Sequence, residues 1–389
     1  MVEVSAPGKL FFSGEWAVLE VGNPGLVAAV NKRVHAKVEG LESGDKSSKE
    51  PGKETSKISV SIRDFGIEDL KAEYDGNELK WERSLSEKEQ EDTKFMKASI
   101  ETALKYLGAG KESKPFKIES WGELSQITLE DGQTKKIGFG SSAASVVTTI
   151  AGILKFNGQD IESKQAKDRI YKLSAMTHYF AQGKVGSAFD VAASTYGGIF
   201  VYKRFDSKWL IGQIEAGKTV KELADMEWPS FKAEPLEIPE GFRLLIGWTK
   251  ESASTSAMVK QLNSWAEGNK DEYKRLYDQI ADLVRELIHE WKAKNKERII
   301  ELLLRNENHL RELGQASGVN IETEGLRLLS DIAKQNQAAG KLSGAGGGDC
   351  GIGVCFDGSV ADKVKQAWKE SGFYLVDATI DYDGVKAKG

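Results

Sequence analysis

Two glycine-rich strings in the 389-residue sequence carry the residue types needed to hold phosphate. The first is Gly138-Phe139-Gly140-Ser141-Ser142-Ala143-Ala144, which leads into a helical pattern running through Leu154. A phosphate needs several convergent N–H donors and no side chain in its way. Glycine permits the tight turn, and a helix start adds free N–H groups and the positive end of a dipole. Ser141 and Ser142 bring hydroxyls suited to phosphate oxygen or Mg2+, and Lys135 and Lys136 stand just ahead. A plain helix start with a serine cap would read the same at this length. The second string is Ser343-Gly344-Ala345-Gly346-Gly347-Gly348-Asp349-Cys350-Gly351, with five glycines in nine residues. Strand and helix patterns follow it directly, which favours a ligand-approach loop over a linker.

Asp190 opens an otherwise apolar helical stretch, just past a loop holding Lys184. On these residues alone, helix capping is the plainer role. A carboxylate near a hydroxyl substrate is also what phosphoryl transfer uses. A third string, Gly212-Gln213-Ile214-Glu215-Ala216-Gly217-Lys218-Thr219, matches the P-loop pattern. Ile214 and Glu215 would sit in its cradle, where Glu215 repels phosphate. The strand at 244–248 ends in Trp248 and not in the Asp that a Walker-B strand supplies. The match is expected to be a chance one. Rossmann spacing and the protein-kinase motifs are absent.

These residues need elements to place them. Residues 2–40 alternate as strands, with turn signals at Pro7-Gly8 and Gly22-Asn23-Pro24. The polar stretch 40–57 reads as an exposed hairpin loop, with a strand at 58–62. Helices are expected at 93–107, after Gly140, at 168–181 and at 187–194, with a strand at 199–202. Later, Ile280, Leu283, Val284, Leu287, Ile288 and Trp291 keep helical spacing, as do Ile299, Leu302, Leu303, Leu310 and Leu313. The chain closes as strand 352–356, helix 359–370, a stop at Gly372 and strand 373–381. The length suits two packed domains, divided near residue 205 into 1–205 and 206–389.

A net charge of −5 lacks the basic excess expected of a nucleic-acid-binding protein. Two cysteines and four scattered histidines offer neither a disulfide framework nor zinc-ligand spacing. The first residues lack the basic start and apolar run of a signal peptide, and no apolar run is long enough to span a membrane. A cytoplasmic protein is expected, without nucleic-acid or membrane partners, as a monomer or a homodimer.

Residues 7–16 (Pro-Gly-Lys-Leu-Phe-Phe-Ser-Gly-Glu-Trp), 138–144 and 343–351 stand in the order of the three motifs of a known kinase superfamily. The sequence resembles the galactokinase, homoserine kinase, mevalonate kinase and phosphomevalonate kinase (GHMP) superfamily across nearly its whole length. The strings 181–192 (Ala-Gln-Gly-Lys-Val-Gly-Ser-Ala-Phe-Asp-Val-Ala), 247–251 (Gly-Trp-Thr-Lys-Glu) and 343–351 look closest to its phosphomevalonate kinase branch. The resemblance implies an α+β fold of two domains. The N-terminal one would be α/β, the C-terminal one ferredoxin-like, with the active site in the cleft between them. It implies ATP as co-substrate, Mg2+, and phosphomevalonate as the small-molecule acceptor of the γ-phosphate.

Carried residue by residue, Asp190 takes the acidic catalytic position and Lys9 the lysine beside it. Lys136, Gly138, Phe139, Gly140, Ser141, Ser142, Ala143 and Ala144 would hold ATP, with Ser142 a candidate Mg2+ ligand. Lys9, Ser187, Lys250, Thr255, Ser256, Ser343, Gly344, Ala345, Gly346 and Gly347 would meet the acceptor. The alternatives are mevalonate kinase or another kinase of the superfamily, and a catalytically silent relative that senses ATP or a metabolite. Retention of both Lys9 and Asp190 speaks against silence.

Overall fold

The computed structural model of the protein describes residues 1–41, 56–110, 113–123, 127–128, 132, 134–135, 137–251 and 254–388. The N-terminal half runs β1 (Val2–Ser13), β2 (Pro24–Gly40), β3 (Ser56–Ile62), β4 (Ile67–Tyr74), β5 (Leu79–Trp81), α1 (Glu87–Tyr106), β6 (Phe116–Gly122), β7 (Ile127–Thr128), β8 (Thr134–Lys135), α2 (Ser141–Phe156), α3 (Lys164–Ala181), α4 (Phe189–Tyr196) and β9 (Ile199–Lys203). There follow α5 (Ser207–Glu215), α6 (Val220–Asp225), β10 (Lys232–Leu236), β11 (Arg243–Trp248), α7 (Thr255–Gly268), α8 (Lys270–Lys292), α9 (Lys296–Ser317) and α10 (Glu324–Gln335). The chain ends with β12 (Ala339–Leu342), β13 (Cys350–Cys355), α11 (Gly358–Glu370), β14 (Tyr374–Leu375) and β15 (Lys386–Ala387).

The large sheet is built on β2. Along one edge β2 pairs with β1. Its other edge is shared: β9 takes residues 24–28 and β6 takes 34–40. Strand order continues through β6, β3, β4 and β5 on one side and β9, β10 on the other. Successive side chains of a strand face opposite ways, and here both faces are buried. Val27 and Ala29 join the core under α1–α4, while Leu26, Ala28 and Val30 join a second core shared with the C-terminal half. That second core reaches Ile246, Trp248, Leu283, Leu287, Trp291, Leu302 and Ile352. One sheet face therefore seats the helices that carry the candidate residues, and the other seats the second half of the chain.

The smaller sheet is antiparallel throughout, in the order β12-β13-β11-β14. Helices α9 to α11 pack with it, while α8 packs on α9 and on β2 of the large sheet and buries a stripe of Leu276, Ile280, Leu283, Leu287 and Trp291. The whole is the two-domain α+β fold that the resemblance implied. Two later strands return to the large sheet: β10 pairs with β9, and β15 pairs with β1.

Three local readings change. Pro7-Gly8 is no turn: β1 runs through it with a register shift, because Gly8 passes so close to Phe139 that a Cβ there would lie 2.9 Å from its carbonyl oxygen. The stretch 40–57 does not join a hairpin, since β6 lies between β2 and β3; its residues 42–55 fall outside the described ones. Strand 373–381 stops at Leu375. Beyond it the chain leaves β11 and crosses to the large sheet, where Ile380 bridges to Val30 and Asp381 pairs with buried Arg33. Among the described residues, no helix is long and apolar enough to cross a membrane.

Candidate active site

The start of α2 is built to be open. Its N-cap, Gly140, sits in the left-handed region (φ 78) and gives the helix no side-chain cap. Only from Ala144, whose N–H bonds the Gly140 carbonyl at 3.1 Å, do the amides begin to be used inside the helix. The first-turn N–H groups before it remain for an anion. Phe139, Ala143 and Ala144 are buried in the two cores, so they offer this site backbone only. Ser142 Oγ lies 3.2 Å from Nε2 of His178, itself buried and stacked on Phe95 at 5.1 Å. Burial holds the His178 pKa below its usual value, against the pull of Asp190, so the imidazole is neutral near pH 7.

The peptide of Gly138 is clamped from both sides. Lys9 Nζ donates to its carbonyl at 2.6 Å, and its N–H donates to Asp349 Oδ1 at 3.0 Å. These contacts join residues 129 and 211 positions apart. A Cβ on Gly138 would lie 1.6 Å from Asp349 Oδ2, so any other residue there would displace the Asp349 carboxylate. Burial pushes the Asp349 carboxyl up, and the charge of Lys9 pulls it back. Across Gly140 stand two candidate residues: a Cβ on it would meet Lys9 Cγ at 3.0 Å and Asp190 Cβ at 3.5 Å.

Asp190 lies in the first turn of α4, but Ala188 is the N-cap, in the left-handed region at φ 58. The Asp190 carboxylate accepts the Val191 N–H at 2.9 Å. Lys184 (φ 64) and Gly186 (φ 97) make the preceding loop unusual as well, a backbone pattern that clusters at ligand sites. From the other half, Ser343 Oγ accepts the Phe11 N–H at 2.9 Å, tying the third motif to β1. Beneath this loop Glu15 and Lys341 form a fully buried ion pair. Burial pushes the Glu15 carboxyl up and the Lys341 ammonium down, each drawn back by the other.

These pieces surround one cavity of about 280 Å³ between the halves. Lys9, Gly138, Gly140, Ser141, Ser142, Ser187, Asp190, Thr255, Ser256, Ser343, Gly344, Ala345 and Gly346 all line it. Gly347 instead bonds the Ile321 carbonyl at 2.8 Å, and Lys250 stands off the wall. Lys136 lies outside the described residues. The wall also includes Glu15, Trp16 and Asp349, which the sequence reading did not single out. Their signal in sequence is faint: charged residues set among apolar or glycine neighbours. His178 gave none, since its partner is 36 residues away.

The P-loop-like string has a different fate. Gly212 sits inside α5, and Thr219 caps α6 in a capping box with Glu222. Lys218 pairs with Glu222 at 3.1 Å on the surface. No cradle forms.

Known proteins resemble this chain in sequence and in fold. Residues 95–198 match the GHMP kinases N terminal domain, and residues 284–373 match GHMP kinases C terminal. A phosphomevalonate kinase of a Streptomyces species is 28% identical, over 98% of this chain and 97% of its own. The Lin0012 protein of Listeria innocua superposes with a TM-score of 0.82 at 27% identity, covering 100% of this chain and 99% of its own. Streptococcus pneumoniae phosphomevalonate kinase, solved with phosphomevalonate and AMPPNP, shares the fold at a TM-score of 0.75 and 24% identity, over 98% and 100% of the two chains.

Proposed function

Since the chain belongs to the GHMP kinases, we propose that it transfers the γ-phosphate of ATP to (R)-5-phosphomevalonate, giving 5-diphosphomevalonate and ADP. The observation that carries this reading is the convergence of Lys9, Asp190, the open start of α2 and the 343–346 loop on one cavity. The end-to-end similarity to phosphomevalonate kinases supports the choice of acceptor.

Phosphoryl transfer asks the protein mainly for positioning and charge neutralisation. The α2 start offers N–H donors and a positive dipole end to the ATP phosphates. Lys9, whose ammonium is steadied by the Gly138 carbonyl, brings a cation to the point where two polyanions must approach. The acceptor phosphate is already largely ionised near neutral pH, so Asp190 orients Lys9 and the acceptor more than it removes a proton. Ser187, Thr255 and Ser256 offer hydroxyls on the acceptor side.

Mg2+ would add charge neutralisation on the phosphates. Among the described residues no three His, Cys, Asp or Glu gather to hold a metal. That fits an ion bound chiefly through nucleotide phosphates and water, with Ser142 the protein ligand. An ADP-release assay with phosphomevalonate, mevalonate or buffer alone tests the proposal. Phosphomevalonate should be consumed far faster than mevalonate. Equal or reversed preference removes the acceptor assignment, and no ADP release with any acceptor removes the kinase reading.

A further inference from the structure

We propose that Tyr202 is a positioning residue for Asp190, fixing the start of α4 through a buried hydrogen bond to the Ser187 carbonyl. The proposal rests on the reading of Asp190 as the acidic group at the transfer. Tyr202 and Tyr171 do not line the cavity and cannot touch a ligand there. Both are wholly buried. The Tyr202 hydroxyl donates to the Ser187 carbonyl, and its oxygen lies 3.0 Å from that of Tyr171. The single Tyr202 proton is committed to Ser187, so Tyr171 is the donor between the two phenols. The result is a directed chain, Tyr171 to Tyr202 to Ser187, in which each bond polarises the next. Burial raises the pKa of both phenols, so these protons stay in place at neutral pH. The Tyr171 ring is itself pinned, stacked on Phe231 at 4.2 Å.

What the chain holds is a backbone that would otherwise relax. Lys184 and Ala188 both occupy the left-handed region, around Gly186 at φ 97. Residues with a Cβ stay there only where their surroundings overdetermine them. Ser187 lies between those residues, and its carbonyl is anchored immediately before the strained N-cap. Asp190 follows two residues after Ala188, so a rotation at 187–188 moves its carboxylate relative to Lys9. The far end of α4 is tied independently: Ser194 Oγ donates to the Pro7 carbonyl at 2.8 Å, and the Val385 N–H to the Thr195 carbonyl at 3.1 Å. Loss of the Tyr202 bond therefore frees one end of the helix and leaves the other in place.

Tyr202→Phe keeps the ring and deletes the bond. In the full chain it should lower kcat by about 10- to 100-fold, with KM for ATP changed less than about threefold. Because Tyr202 acts through Asp190, the same change on an Asp190→Asn background should cost less than about twofold. Tyr171→Phe, which leaves the Ser187 bond, should have a smaller effect than Tyr202→Phe. Hydrogen exchange supplies a readout that needs no turnover: amides 189–192 should exchange about tenfold faster in Tyr202→Phe, with those of α2 unchanged. Equal losses on the two backgrounds, or unaltered exchange at 189–192, overturn the proposal. A wild-type protein inactive on phosphomevalonate would remove the acceptor reading, and the exchange experiment would still decide the role of Tyr202.

Discussion

The string at 212–219 spells a phosphate loop more faithfully than the one at 138–144, yet only the second is arranged like one. The difference lies at the helix starts that follow. At α6, Thr219 Oγ1 accepts the Glu222 N–H and Glu222 reaches back to the Thr219 N–H, so the helix satisfies its own donors. At α2, Gly140 has no side chain to do this. A capping box contributes to stability by removing the donors that an anion would need. An anion site leaves them open and relies on surrounding structure, here the Lys9 and Asp349 clamp on Gly138, to hold the turn. Which residues are missing thus matters as much as which are present.

The largest effect should come from the groups that the open helix start serves. Lys9→Met and Asp190→Asn should each lower kcat by about 10²–10³-fold, with Lys9→Met at least as damaging. A folded Asp190→Asn enzyme with near-normal turnover would return that residue to a helix-end role. A Lys9→Met enzyme with normal kcat and only a raised KM would make Lys9 a binding residue. Next comes Gly140→Ala, which puts a Cβ into a left-handed position and 3.0 Å from Lys9 Cγ. Titration calorimetry should show ATP affinity weakened by about 10-fold or more; unchanged affinity would mean the turn is not the nucleotide's seat. The smallest effects belong to the look-alike. Thr219→Ala should cost about 1 kcal/mol of stability in a denaturant melt and leave ATP affinity alone. Lys218→Ala should change neither, and loss of nucleotide binding there would revive the P-loop reading.

Local chemistry was legible in the sequence; long-range pairing was not. The open start of α2, the 343–348 turns and the place of Asp190 on a short helix all follow from neighbouring residues. So do α8 and α9, whose apolar spacing is regular. The clamp on Gly138 was not legible, because it is made by residues 129 and 211 positions away. His178 and the Glu15–Lys341 pair were hidden for the same reason. Pro7-Gly8 read as a turn because those types usually mark one; the close passage of Phe139 uses the glycine differently. Past the break in the last predicted strand, the chain is held on the large sheet by residues 29–33, including buried Arg33, near the other end of the sequence. No local pattern around Asp381 announces it.

The edge of β1 that faces away from β2 has partners drawn from much later in the chain. The Lys9 amide bonds the Phe139 carbonyl, the Pro7 carbonyl accepts from Ser194, the Phe11 amide bonds Ser343, and Val4 and Ser5 pair with β15. On a ribosome this edge is made before all of these partners and is completed only with β15. At about 5–20 residues per second, roughly 20 to 80 s separate the emergence of Ser5 from that of Lys386. Until Phe139, Ser194, Ser343 and finally β15 follow in turn, part of this edge is open to wrong partners. The strand that carries Lys9 is therefore open to misassembly while the growing chain waits for its later partners.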